Sequence, residues 1–294
     1  MSAAQRLRDL LAPGKLLIAP GCYDALTALL VEQAGFEAAY VSGASIAYSR
    51  LGQPDIGLVT ASEVAQTVQM IRERVGMPLI VDADTGYGNA MNVQRTVRQL
   101  ERAGATCIQL EDQVAPKRCG HLAGKSVVPA AEMLSRLKAA LDARESALIM
   151  ARTDALAIEG WERTLERADA YFEAGADVLF IEAPQTVEQL AGIGARYGAR
   201  VPLLVNVVEG GRTPALPPAQ YREQGFRLVI FPGAIVRSLT FAVREMLTTL
   251  RREGSTAPCQ ERMLTVGSLN ELLGTERLLE AGRRYDPQIA SSER

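Results

Sequence analysis

Residues 79–88 read LIVDADTGYG: three apolar residues run into Asp82, and Asp84 and two glycines follow at once. A run this short and this apolar reads as a buried strand, and the abrupt change to carboxylates and glycines marks its end. The same design recurs along the chain. Strand-like runs at residues 15–20, 38–42, 78–82, 106–111, 147–152, 177–182, 202–206 and 227–231 are each followed by a segment of helical period, the first at 23–34. Eight strands thus alternate with about eight helices, after one short N-terminal helix. The strand runs are continuously apolar, as strands covered on both faces of a parallel sheet must be. The class is therefore α/β. The pattern predicts a (β/α)8 TIM barrel, although a doubly wound open sheet has the same local signature.

Punctuation supports the helices. Thr60 with Glu63, and Thr186 with Gln189, have the spacing of a capping box, and Pro129 stands where a first helical turn begins. Val64, Val68, Ile71 and Val75 fall on one helical face. At 294 residues, the chain is near the ~250 residues of one barrel domain, which predicts a catalytic domain over 1–255. Residues 256–294 would then be a helical extension of it, carrying LNELLGTERLLEAG.

A barrel of this kind builds its active site at the C-terminal ends of its strands. Those ends are polar here: Tyr40 and Ser42, Asp82 and Asp84, Glu111, Arg152, Glu182 and Asn206 close the second to the seventh runs. An arginine facing several carboxylates suggests an anionic ligand shared with a metal ion. Asp82, Asp84 and Glu111 offer only hard oxygen ligands, which favours Mg2+ or Mn2+ over zinc, with waters and substrate completing the shell. As structural groups, the same carboxylates would cap helices or pair with arginines.

The sharpest chemistry lies in QLEDQVAPKRCGHLAG at 109–124, where Lys117, Arg118, Cys119, Gly120 and His121 are consecutive. His121 is the single histidine of the chain, so any imidazole chemistry must use this loop, and a multi-histidine metal site is excluded by count. A thiol among cations on a glycine-containing loop is suited to act as acid, base or nucleophile. The bland alternative is a surface loop with an incidental thiol. Of the four cysteines, Cys22, Cys107, Cys119 and Cys259, none forms a CxxC pair, so neither a zinc ribbon nor a disulfide framework is indicated. Cys107, inside an apolar run, reads as core. The sole tryptophan, Trp161, reads as packing, and Arg212 in EGGRTP as either an anion ligand or a solvated charge.

Composition narrows the partners. Basic and acidic residues number 32 and 34, for a net charge of −2, and no run of either sign gives a footprint for nucleic acid or an anionic membrane. No stretch approaches the ~18 apolar residues of a membrane span, and MSAAQRLRDLLAPGK lacks a signal-type apolar segment. The expectation is a cytoplasmic protein with a small-molecule ligand.

The chain resembles the isocitrate lyase and phosphoenolpyruvate mutase superfamily, and within it the lyases with a K-[KR]-C-G-H loop. The resemblance rests on YVSGAS at 40–45, PDIG at 54–57, VDADTGYGN at 81–89, LEDQ at 110–113, KRCGH at 117–121, MARTDA at 150–155 and IEAP at 181–184. It implies a barrel whose eighth helix is exchanged with a neighbouring subunit, a homotetramer of such swapped dimers, and Mg2+ at the top of the barrel. It further implies that Asp82 and Asp84 hold the metal, with Glu111 acting partly through water. Tyr40, Ser42, Gly43 and Ala44 would line the 2-oxo acid site, with Arg152 as carboxylate clamp. Gly120, His121 and Asn206 would hold a second carboxylate, supported by Glu182. Cys119 would protonate the departing enediolate under a loop that closes over the substrate. The base is left open among Tyr40, Asp55 and a metal-bound hydroxide.

The substrate is read from departures. Methylisocitrate lyases follow Cys-Gly-His with Arg-Pro-Asn-Lys, where this chain has Leu122, Ala123, Gly124 and Lys125, one cation fewer. VVEGGRTP at 207–214 is instead similar to lyases of substituted malates. A 2-hydroxy dicarboxylate is therefore expected, with 2-methylisocitrate lyase, oxaloacetate hydrolase and phosphonate-processing enzymes as alternatives. A binding protein that kept the barrel but not the chemistry would have no need of Cys119.

Overall fold

The computed structural model describes residues 2–120 and 124–285. Eight parallel strands, β1 (Leu17–Cys22), β2 (Ala39–Val41), β3 (Leu79–Asp82), β4 (Cys107–Glu111), β5 (Leu148–Thr153), β6 (Val178–Ile181), β7 (Leu203–Asn206) and β8 (Leu228–Phe231), form a closed barrel in sequence order. Closure is made by β8 on β1, with Leu17 opposite Leu228 and Pro20 opposite Phe231. This settles the choice against the open sheet.

The uniformly apolar runs conceal a period of two. One alternate set, including Tyr40, Ile80, Cys107, Met150, Phe180, Leu204 and Ile230, packs into an interior cluster. The other set, including Val41, Val81, Ile108, Ile149, Leu179 and Val205, packs outward with the helices. Both sets are buried, so hydropathy does not alternate although the side chains do. The N-terminal helix Ala3–Leu10 adds Leu7, fully buried, to the interior cluster beside Leu17, Cys107 and Leu148. Carried two residues further, the interior series becomes polar or charged: Asp82 follows Ile80, Arg152 follows Met150, Glu182 follows Phe180 and Asn206 follows Leu204. Cys107 is core, as its setting suggested, and burial pushes its thiol far up.

Local expectations hold with three adjustments. Thr60 and Glu63 make both halves of a capping box on helix Ala61–Arg74, but Thr186 receives only the Gln189 amide. The Gln189 side chain turns instead to the Gln185 amide at 2.7 Å. Strand β1 runs on through Gly21, where a side chain would collide with the Pro232 backbone, its Cα 2.6 Å from an ideal Cβ. The tail is not one helix: Gly274, at φ 74°, separates Val266–Leu273 from Thr275–Arg283.

The chain divides into two compact units, one through Arg237 and one from Ser238, the division falling within helix Ala234–Glu253. The first contains the whole barrel sheet. The second leaves Leu239, Phe241, Leu247, Leu264, Val266, Leu278 and Leu279 exposed. No described helix is long and apolar enough to cross a membrane.

Candidate active site

At the C-terminal rim of the barrel, one cavity is lined by Tyr40, Ser42, Ala44, Asp55, Asp82, Lys117, Cys119, Gly120, Arg152, Glu182 and Asn206. Eleven residues singled out from sequence thus share one space. Tyr48, Val208, Ile230, Pro232, Gly233 and Arg237 complete the wall and carried no signal of their own.

The acidic corner is shaped by backbone. After β3 the chain turns through Asp84 and Tyr87 at φ 47° and 61°, with Gly86 at φ 86° between them, so the apolar strand ends in a tight loop that keeps Asp82 and Asp84 close. Gly43 lies against both: an ideal Cβ there would be 3.1 Å from Asp82 Oδ2 and 3.4 Å from Asp84 Oδ1. Asp82 Oδ1 accepts hydrogen bonds from the Asp84 amide at 3.1 Å and from Gln109 Nε2 at 3.0 Å. Burial raises Asp84 to about 7, against the pull of Lys117. Burial likewise pushes Glu111 well above the carboxylate range, and its Oε1 is enclosed without a hydrogen-bond partner.

Three buried carboxylates with an orphaned oxygen suit a hard divalent cation. Among the described residues, however, they do not converge into a complete cage. Lys117 Nζ lies among them instead, 2.8 Å from Asp84 Oδ1 and 2.5 Å from Asp55 Oδ1. Burial alone would lower its ammonium, but Asp84, Asp82, Glu111 and Asp55 together hold it well above its usual value. The donor set fits Mg2+, which is bound through few carboxylates and keeps several waters.

Gln109 is a residue that the sequence reading passed over. Fully buried, it accepts from the Tyr40 hydroxyl at 2.9 Å through Oε1 while its amide nitrogen serves Asp82. Burial, and then Asp82, push the Tyr40 phenol well above its ordinary value. Tyr40 is therefore a fixed hydroxyl with its proton in place, a poor general base. Its signal was parity: Gln109 continues the interior series from Cys107.

The anion side centres on Arg152. Its Nε donates to Asp154 Oδ2 at 2.8 Å, its Nη1 lies 3.3 Å from Glu111 Oε2, and its guanidinium stands over the Phe180 ring at 5.1 Å. Burial opposes its charge, yet Asp154, Glu111 and Glu182 keep it far above its ordinary value. Glu182, at a strand end followed by Ala183 at φ 56°, accepts from Asn206 Nδ2 at 3.3 Å. Ser42 caps the short helix Gly43–Ile46 by accepting from the Ser45 amide at 3.2 Å.

Cys119 is half-buried and faces this cavity, its amide donating to the Asp55 carbonyl at 3.2 Å. Arg118 does not join it: its backbone is bound on both sides by Gln113, and the residue is exposed. Burial alternates along this stretch: Lys117 and Cys119 line the cavity, whereas Arg118 is exposed and does not. His121 lies outside the described residues. Gly43, Asp84 and Glu111 do not line the cavity themselves, but they lie against residues that do: Gly43 against Asp82, Asp84 against Lys117 and Glu111 against Arg152.

Residues 7–251 match the family model described as phosphoenolpyruvate phosphomutase. The chain belongs to the phosphoenolpyruvate phosphomutase family. Two relatives in this superfamily are named lyases. The 2,3-dimethylmalate lyase of Eubacterium barkeri is 43% identical over 97% of this chain and 99% of its own length. A 2-methylisocitrate lyase of Aeropyrum pernix is 45% identical over 97% and 92% respectively. Among similar solved structures, a phosphonopyruvate hydrolase in complex with oxalate and Mg2+ superposes with a TM-score of 0.87 at 31% identity, covering 97% of this chain and 99% of its own.

Proposed function

We propose that this chain is a Mg2+-dependent carbon–carbon lyase that cleaves a 2-hydroxy dicarboxylate of the substituted-malate type into a 2-oxo acid and a second carboxylate. The observation that carries the reading is Cys119 facing the same cavity as Asp82, Arg152, Glu182 and Asn206. Mg2+, held by Asp82 and Asp84 with Glu111 beside them, would supply the Lewis acidity that lowers the pKa of a chelating hydroxyl. Arg152 pairs with the carboxylate of the 2-oxo acid half and, fixed by Asp154, orients it. Gly120 and Asn206 receive the other carboxylate. Retro-aldol cleavage leaves an enediolate, and Cys119 gives its proton to that carbon. Asp55, against Lys117, is the better placed of the two side chains considered as base, since Tyr40 already donates to Gln109.

Substrate size follows from the wall. Val208, Ile230 and Pro232 give one flank an apolar surface for methyl substituents. A tricarboxylate would need a further cation, and Arg237, also at the cavity, is already held by the Glu209 carbonyl at 3.0 Å and Glu209 Oε2 at 2.9 Å. This favours a dimethylmalate-type substrate over 2-methylisocitrate.

A coupled assay for 2-oxo acid release tests the reading on 2-methylisocitrate, isocitrate, malate, 2-methylmalate, 2,3-dimethylmalate and oxaloacetate. One substituted malate should turn over with kcat/KM of ~10^4 M⁻¹s⁻¹ or more, and EDTA should abolish it, with Mg2+ restoring it. Silence across the panel, or turnover indifferent to EDTA, would sink the proposal.

The exposed apolar residues of the second unit, among them Phe241, Leu264 and Leu278, support a homotetramer of helix-swapped dimers, since so much apolar surface is costly in water. Light scattering should then return four times the chain mass. A monomer at micromolar concentration would refute that assembly. A cytoplasmic location belongs to the same reading.

A further inference from the structure

Lys125 lies five residues past Gly120, beyond the KRCGH run, and was given no role above. Its side chain is 3% exposed, and its ammonium bridges two points: the Gly120 carbonyl at 2.5 Å and Asp154 Oδ1 at 2.7 Å. Asp154 is the carboxylate that orients Arg152 through Nε and, at 3.2 Å, Nη2. Gly120 is the residue next to Cys119. We propose that Lys125 is a positioning residue that holds the backbone carrying the Cys119 acid in register with the Arg152 clamp, so that acid and anion site are set by one ammonium.

Both ends of the bridge are anchored. The segments flanking the loop pair through one antiparallel bridge, with the Val114 amide on the Ser126 carbonyl at 2.9 Å and the Val128 amide on the Asp112 carbonyl at 2.8 Å, which fixes where Lys125 begins. Asp112, itself fully buried, accepts from the Asp154 amide at 2.9 Å and the Thr153 hydroxyl at 2.7 Å. Tyr171 donates to it at 2.9 Å, and Arg167 stands 3.4 Å away. With its base rigid, Lys125 can act only on what it touches. It also adds a second cation to a cluster in which one guanidinium faces Asp154, Glu111 and Glu182. By sharing Asp154, it leaves more of the Arg152 charge for an incoming carboxylate. A buried lysine bridging a carboxylate and a backbone carbonyl is a demanding arrangement, because its desolvation must be offset by both contacts.

The proposal rests on Cys119 and Arg152 serving the reaction proposed above, but its first test needs no turnover. Alkylation of Cys119 by iodoacetamide, followed by peptide mass spectrometry on the full chain without ligand, reports how firmly the segment is held. Cys22, Cys107 and Cys259 are buried. Lys125→Met should speed alkylation by about tenfold, the scale of a lost charge-assisted hydrogen bond, while Lys125→Arg, which keeps donors and charge, should remain near the wild-type rate. Where a substrate has been found, Lys125→Met should lower kcat/KM by about tenfold or more. It should add little in an Asp154→Asn background, because the two share one interaction. An unchanged alkylation rate in Lys125→Met overturns the proposal, and so do equal losses of melting temperature and equal gains in alkylation for the Met and Arg variants. A wild-type protein inert on every acid in the panel would defeat the lyase reading alone, leaving the alkylation comparison to decide the role of Lys125.

Discussion

Cys119→Ser should lower kcat by roughly 10³-fold, within the range that a positioned general acid contributes, while KM for the preferred substrate changes little. Binding is assigned to other groups: Arg152 is fixed by Asp154 and Glu111, and Asn206 lies against Glu182. These pairings persist without the thiol, and the Cys119 backbone is held separately by its amide on the Asp55 carbonyl. A serine hydroxyl fills most of the thiol's volume but is a far weaker acid, so the enediolate would wait for a proton from water. Loss confined to kcat marks an interaction made in the reaction and not in binding. Steady-state kinetics on the Ser and Ala variants, with melting curves to show that the fold persists, is the measurement. Turnover within a fewfold of wild type would remove Cys119 from the mechanism, and a large rise in KM alone would make it a binding residue.

How far the site was legible depends on the kind of signal each residue leaves. Asp82, Glu111, Arg152, Glu182 and Asn206 were legible because a barrel strand delivers its last interior side chain to the rim, and a charged or amide group ending an apolar run has few other reasons to be there. Gln109 follows the same parity but sits inside the run, where one polar residue among apolar ones disturbs no pattern; only its contacts with Tyr40 and Asp82 disclose what it does. Arg118 illustrates the opposite case. Adjacency in sequence suggests a cation beside the thiol, whereas Arg118 is exposed and absent from the cavity that Cys119 lines. Lys117 has the right side, but it is held by Asp55 and Asp84. Lys125 and Asp154 act through each other across 29 positions, and Arg237, in the cavity wall, is paired with Glu209. Such pairings are properties of the folded chain and leave no spacing to read. The fold itself was more open to reading, since eight strand–helix units can be counted from their repetition, although closure was decided only by β8 pairing with β1; the break at Gly274 shows how one glycine of positive φ divides a helix that apolar periodicity alone would carry through.

Gly120→Ala should be nearly as damaging as loss of the thiol, although it adds one methyl group to a residue outside the core. An ideal Cβ at this position lies 2.6 Å from Arg152 Nη2 and closer still to Glu182 Oε1. Neither neighbour can give way cheaply. Arg152 is tied to Asp154 and Glu111, and Glu182 accepts from Asn206; shifting either would break buried, charge-assisted contacts worth about 1.5–3 kcal/mol each. Displacing the segment is the easier relief, and it pulls Cys119 away from the cavity and strains the 2.5 Å contact of the Gly120 carbonyl with Lys125. Gly120 is not among the glycines of positive φ, so alanine meets no backbone penalty and the whole effect is a matter of space. We expect kcat/KM to fall by roughly 10²-fold or more, as when a small misplacement disturbs an aligned site, with both kcat and KM affected because acid and clamp are moved together. The melting temperature should stay within a few degrees of wild type, since the substitution touches no core side chain. Calorimetric titration with oxalate and Mg2+ separates the two components: binding weakened in Gly120→Ala but not in Cys119→Ser would place the methyl group against the clamp, whereas full binding and full turnover in the alanine variant would mean that the segment does not rest on Arg152 and Glu182 when the enzyme works.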